Sequence, residues 1–352
     1  MGPSTSSASA PSSASASSSV SAPVASADTP GRSPRSFPAP ETSRRARTRR
    51  WLASWRRRDT RAAYAFISPW IIGFLALTAG PMVASFVLSF TNYDGIGATR
   101  SVGLENYRQL FEDPQVATSM ANTLLFALMR VPLSMALALA LAMLLLRVGR
   151  AAGFFRTVFY LPVMTPSVAV GILFLLLFNG NVGLINTALG WVGVDGPSWT
   201  TDGAWVKPGL VLTTLWALGS TVVIYLAALR AVPQDLYEAA ELDGAGRWQS
   251  FRHVTLPQIS GAVFFTLVVN TIAALQTFDE AYTAFFGTSN AQTYSHEAAL
   301  FYVVYLFQQA FQFMHMGYAS AMSWLLFLII LVITVIQARL SRRFVYYEGE
   351  TR

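Results

Sequence analysis

The stretch Glu238–Pro257 reads EAAELDGAGRWQSFRHVTLP. It stands between two long apolar runs, yet it carries charges, two glycines, a tryptophan and a terminal proline. Pro233 suits a first helical turn, and Gln234 to Leu242 are good helix formers. Gly244 and Gly246 then break or bend the path. A second helical piece is expected from Arg247 to Thr255, stopping at Pro257. Two short helices at an angle make a knob. With Glu238, Glu241 and Asp243 on it, such a knob suits a groove on a partner protein. A surface turn with solvated charges is the plain alternative.

The runs on either side set the class of the molecule. The chain has 352 residues, 53% of them hydrophobic and 12% charged, and its mean hydropathy is +0.43. A soluble domain usually carries about 25% charged residues. Six apolar spans are expected near Tyr64–Phe90, Ala121–Leu146, Thr157–Phe178, Val206–Leu229, Ile259–Phe285 and Tyr318–Gln337. Each is long enough to cross a hydrocarbon core, where only helices or closed barrels satisfy the backbone. The expected fold is therefore an all-α membrane protein. Pro69, Pro81, Pro132, Pro162 and Pro166 lie in or near spans, where kinks are expected.

The arginines give the orientation. Eleven lie between Arg32 and Arg61. Others follow the second span (Arg147, Arg150, Arg156), the fourth (Arg230, Arg247, Arg252) and the sixth (Arg339, Arg342, Arg343, Arg352). The opposite side has Arg100, Arg108 and Lys207. The 21-to-3 asymmetry predicts a multi-pass protein of the cell membrane with both termini in the cytoplasm. The knob is then cytoplasmic too. Residues 1–61 read as a Ser/Ala/Pro-rich disordered segment followed by an Arg-rich, lipid-facing arm, residues 62–345 as the membrane domain with the knob loop at 233–257, and residues 346–352 as a tail. The basic balance is thus spent on topology, and nucleic acid is not the expected partner.

Several chemistries have no support in the chain. With no cysteine, thiol catalysis and cysteine-ligated metals are excluded, and His253, His296 and His315 are too scattered for a zinc site. The one lysine, Lys207, follows Ala204-Trp205-Val206 and precedes Pro208, so no phosphate-binding loop is formed. No cofactor and no enzymatic activity are expected.

The knob resembles the EAA loop of binding-protein-dependent ABC importers. Here it reads Glu238-Ala239-Ala240, then Asp243-Gly244, then Val254-Thr255-Leu256-Pro257. The likeness extends to FTNYDG at Phe90–Gly95, VGLENYRQLF at Val102–Phe111, GLIN at Gly183–Asn186, YLAALRAVP at Tyr225–Pro233 and MGYASAMSWLLFLIILV at Met316–Val332. These resemble the carbohydrate permeases of the maltose and glycerol-phosphate type, in particular the subunit with an N-terminal extension, over about residues 62–345. The resemblance implies six transmembrane helices of the type I importer fold. It implies a second homologous permease subunit, two separate ATP-binding subunits and an extracellular solute-binding protein. It gives Glu238, Ala239, Ala240, Asp243, Gly244, Leu256 and Pro257 the role of coupling to the ATPase. Relatives often have Gly-Gly-Gly-Pro after the fifth span; here Gly287-Thr288-Ser289-Asn290 stands there, which predicts a different loop.

Polar groups inside spans face a cavity or a neighbouring helix. The fifth span offers Asn270, Thr271, Gln276, Thr277, Asp279 and Glu280, and the fourth Thr213, Thr214, Trp216 and Gly219. Asn270 and Thr277, seven apart, share a helix face. Amide, hydroxyl and indole groups suit a sugar; helix–helix hydrogen bonding would use the same residues. The resemblance places Thr213, Trp216, Asn270, Ala274 and Thr277 near positions that line the sugar site in the maltose permease, and Gly219 and Gln276 belong to the same candidate set. Arg130, about ten residues inside the second span, is expected to snorkel, face a cavity or pair; Asp279 or Glu280 is the candidate partner, and a structural pair is preferred to a substrate role. An importer of glycerol phosphate, an amino acid or a peptide would share this architecture. A secondary transporter would have no use for the knob.

Overall fold

A computed structural model describes residues 58–286 and 296–344. The N-terminal segment to residue 57, the Gly287–Asn290 stretch and the tail from residue 345 lie outside the described residues. The chain divides into two compact units, Met1–Pro69 and Trp70–Arg352. The described part of the first is the beginning of a helix.

Among the described residues, four helices are long and apolar enough to cross a membrane: Ala62–Leu88, Pro114–Arg147, Ser260–Phe285 and Met316–Arg342. Two bent pairs complete the set. Ala152–Met164 and Ser167–Leu177 meet at 95°, and Gly203–Ala217 and Gly219–Ala231 at 55°. Among the described residues, the single β feature is an isolated antiparallel bridge between Thr91 and Ser101.

Proline explains only one of the interruptions. Pro166 pushes Thr165 out of the helical region (ψ 127°), so the third span stops and turns. Pro132, by contrast, sits inside an unbroken helix of 34 residues, and Pro69 inside one of 17. The fourth span bends at Gly219 without a proline. A Cβ there would collide with the Phe159 carbonyl, so the glycine lets two backbones touch. The fifth span is interrupted at Gln276–Phe278, where Phe278 takes φ −139°, ψ −65°. It restarts at Asp279, with Asp279 and Glu280 favourably placed in a first turn.

Among the described residues there are three buried clusters: a small one sets Ala127 and Val131 of the second span against Ala274 and Leu275 of the fifth, and two are larger. One joins Phe126, Phe174, Leu210, Phe285, Phe301 and Met322 from five spans and the adjoining short helices. The other lies at the arginine-bearing end. There Ala138, Ala142 and Leu145 of the second span meet Val222, Tyr225 and Leu229 of the fourth. Alanines at i and i+4 let these helices approach closely. Tyr225 Oη and Thr266 Oγ1 hydrogen-bond at 2.6 Å, which ties the fourth span to the fifth.

The motifs at the opposite end interlock. Asn106 of the LENY segment donates to the carbonyls of Ser89 and Thr91, both at 2.8 Å. Gly317 donates its N–H to the Tyr93 carbonyl at 2.9 Å, and a Cβ on Gly317 would strike the Thr91 carbonyl. Asp94 Oδ1 accepts from Gly97 N (2.7 Å) and Ile96 N (3.1 Å). Those two donors hold its carboxyl below the usual carboxylate range.

Candidate functional site: a two-helix knob and a broken fifth span

The knob begins as a helix over Gln234–Leu242. Its end is a left-handed glycine cap: Gly244 has φ +79°. The Gly244 N–H reaches the Glu241 carbonyl (3.0 Å) and the Ala245 N–H the Ala240 carbonyl (2.9 Å), which satisfies carbonyls the helix leaves open. The chain then enters a second helix at Arg247, with Gly246 N donating to Gln249 Oε1 at 2.8 Å. That helix runs as a π turn over Phe251–Thr255 and continues through Leu256–Gln258. It therefore passes beyond Pro257 instead of stopping there. Pro257 lies in the first turn of the last segment, where an N–H is not required. Tyr237 Oη and Thr255 Oγ1 hydrogen-bond at 3.0 Å and lock the two helices together.

The outer surface of the knob is uncommonly apolar for a solvated loop. Leu242 is 90% exposed and Trp248 70% exposed. Glu238, Asp243 and Gly244 are exposed beside them. Gln234 Nε2 donates to Glu238 Oε1 at 3.1 Å. A cleft between knob and second span is lined by Arg147, Tyr237, Glu241, Arg247 and Phe251. Apolar side chains rimmed by charges are the make-up of a docking patch. The composition of the motif concealed this, because Leu242 and Trp248 lie outside its defining positions.

The intramembrane candidates are placed differently. Thr213 is buried and its Oγ1 donates to the Gly209 carbonyl at 3.0 Å. Asn270 Nδ2 donates to the Thr266 carbonyl at 2.8 Å. Trp216 is 59% exposed, and Gln276 is exposed at the interruption of the fifth span. Gly219 is a packing residue, set against Phe159. Among the described residues, no hydrogen bond joins the fourth-span candidates to the fifth-span ones. Thr271 turns instead to the sixth span, its Oγ1 accepting from Gln337 Nε2 at 2.9 Å.

Thr277 makes the unexpected contact. It is buried, donates to the Ala274 carbonyl (3.0 Å), and accepts from Arg130 Nη1 at 3.4 Å. The Arg130 guanidinium also lies over the Phe126 ring, 5.7 Å from its centre. Among the described residues the one ion pair is Arg108–Glu112, so the expected pair of Arg130 with Asp279 or Glu280 is not formed. The fifth span breaks before either carboxylate, and the break hands the arginine a hydroxyl instead.

One cluster gave no hint in the sequence reading. Asp113 Oδ2 accepts from Tyr305 Oη (2.6 Å) and Tyr318 Oη (2.9 Å), and Gln309 Nε2 donates to Tyr305 Oη (2.8 Å). It joins the start of the second span to the start of the sixth. The signal was available: Asp113 before Pro114 is an N-cap followed by a proline at the first helical position, and Asp113 Oδ1 does accept from Gln115 N at 2.8 Å.

Residues 131–346 match the family described as the binding-protein-dependent transport system inner membrane component. The chain belongs to that family. It is 41% identical over 300 residues to the probable ABC transporter permease protein YesP of Bacillus subtilis, covering 84% of this chain and 94% of that one. It is 30% identical to the arabinooligosaccharides transport system permease protein AraP of the same organism, over 80% and 89% of the two chains. Among solved structures, it superposes on a chain of a bacterial ABC transporter involved in the import of the acidic polysaccharide alginate. That match has a TM-score of 0.69, 25% identity, and coverage of 85% of this chain and 98% of the other. A second structure shows the alginate transporter with a pentasaccharide-bound periplasmic protein. The chain is a multi-pass inner-membrane permease subunit with the type I importer fold.

Proposed function

We propose that this permease forms half of the membrane pathway of an ATP-driven importer for an oligosaccharide. The relatives that handle arabino-oligosaccharides and alginate support a saccharide cargo. In this reading a homologous second permease completes the pathway. Two ATP-binding subunits dock beneath, and an extracellular binding protein delivers the sugar. Both termini and the knob face the cytoplasm, a placement that the arginine asymmetry supports. The membrane domain runs over about residues 62–345, with the arm before it and a short tail after it.

The observation that carries the coupling role is the knob itself. Its two helices are braced by the Tyr237–Thr255 hydrogen bond and turned by a left-handed glycine, and they present Glu238, Leu242 and Trp248 outward. A rigid, apolar-tipped projection transmits motion; a solvated turn does not. Ala239 and Ala240 keep the first helix slim enough to enter a groove, and Leu256 and Pro257 set how the second rejoins the fifth span. The sugar would pass along the face bearing Thr213, Trp216, Asn270, Gln276 and Thr277, with Gly219 shaping the bend beneath Trp216.

Deleting the permease gene in the producing bacterium tests the reading. Uptake of labelled oligosaccharides should be lost while uptake of amino acids and peptides continues. Loss of amino-acid or peptide uptake with saccharide uptake intact would show a different cargo.

A further inference from the structure

Arg130 lies midway along the helix Pro114–Arg147. At 1.5 Å per residue, about 24 Å of helix separates it from either end. A cation well inside a span needs a partner, a polar cavity or a route for its head group to the interface. Neither contact on hand is anionic. Thr277 supplies one long hydrogen bond of 3.4 Å, and Phe126 supplies the face of its ring. Among the described residues no carboxylate stands in ion-pair contact with it. Glu280 acts on it only at longer range.

A guanidinium presents five N–H donors in a planar fork shaped for a carboxylate. Thr277 takes one. The others are not sealed in the protein: Arg130 is half-buried, and the fully buried side-chain nitrogen without a partner belongs to Arg156, not to Arg130. The fork meets the fifth span at its interruption, where Thr277 stands on the face assigned above to the sugar. The second cation in the spans, Lys207, is already engaged: its Nζ donates to Asn122 Oδ1 (3.0 Å) and to the Ala298 carbonyl (3.3 Å). One free fork with no second cation beside it fits a monoanion and disfavours a phosphate dianion.

We propose that Arg130 is an anion subsite in the translocation path, and that the cargo is an acidic oligosaccharide whose uronic-acid carboxylate docks on the Arg130 fork beside Thr277. The inference rests on the saccharide reading and narrows it. The bound carboxylate supplies the countercharge that the protein withholds. The Phe126 ring, 5.7 Å from the guanidinium carbon, adds a cation–π contact to the same group.

The test uses the assembled importer and matched pairs of oligosaccharides. One member of each pair bears uronate, and the other is the same chain with its carboxyl groups reduced to alcohols. Wild type is expected to favour the acidic member by at least about tenfold in uptake kcat/KM. Arg130→Gln should lose that preference through a fall for the acidic member alone, and Arg130→Lys should keep part of it. A wild type that takes both members equally, or an Arg130→Gln that lowers both equally, would make the arginine a tether for the broken span and overturn the proposal. Import of neutral sugars alone would overturn it while leaving the saccharide reading intact. Import of no saccharide would overturn both.

Discussion

Gly317 and Gly153 separate what a glycine does from where it sits. A Cβ on Gly317 would run into the Thr91 carbonyl, whereas nothing lies within 4 Å of one on Gly153. Gly317→Ala should lower the thermal stability of the purified permease by roughly 1–3 kcal/mol of overpacking. Gly153→Ala, in a helix over Ala152–Tyr160, should be neutral or raise it by about 0.5–1 kcal/mol. A thermal melt of both in detergent compares them directly, and equal shifts would contradict the packing seen here. Asn270 is a finer case. Its amide already serves the Thr266 carbonyl, yet it is only half-buried. Asn270→Leu should weaken sugar uptake at unchanged assembly, by about 1–3 kcal/mol if one substrate hydrogen bond is lost. Unchanged uptake kinetics would assign Asn270 to its own helix. At this scale the sequence showed which residues were polar and inside a span, but not where they turned. Arg130 was expected to find a carboxylate. Whether it did depended on a break in another helix, which no local pattern around Arg130 encodes.

At the scale of elements, the knob was legible almost to the residue. A helix of good formers, a glycine stop and a second helix follow from propensity and capping, and Gly244 is left-handed as such a cap demands. The continuation through Pro257 was not legible, because a π turn lets a helix absorb an extra residue without a sequence mark. The spans show the reverse balance. Their existence is plain from hydropathy, while the bend at Gly219 is not, since it arises where the backbone of another span approaches, and the break at Gln276–Phe278 has no mark in the sequence either. The brace across the knob gives a prediction of its own. Tyr237→Phe removes the bond to Thr255 at a cost of about 1 kcal/mol. The knob should stay folded and the ATPase should still co-purify, but transport per ATP hydrolysed should fall. An unchanged ratio would mean that rigidity between the two helices is not needed.

In the whole molecule, coupling requires one arrangement of six spans, in which the knob shares a side with Arg147, Arg156 and Arg230. Reporter fusions after Arg156 and Arg252 should report cytoplasm, and fusions near Glu105 and Glu297 the outside; a cytoplasmic signal at Glu105 would invert the arrangement. The central claim is that the knob converts movement of an ATPase into movement of these spans. Its most direct test is substrate-stimulated ATP hydrolysis in the reconstituted importer, measured for wild type, Gly244→Asp and Glu238→Lys. A Cβ at Gly244 has open space around it, so Gly244→Asp costs only the left-handed strain of about 1–2 kcal/mol and leaves the spans folded. Both variants should insert and assemble with the second permease, yet lose substrate stimulation or release the ATPase. Full stimulation by substrate in both variants would reduce the stretch from Glu238 to Pro257 to a linker.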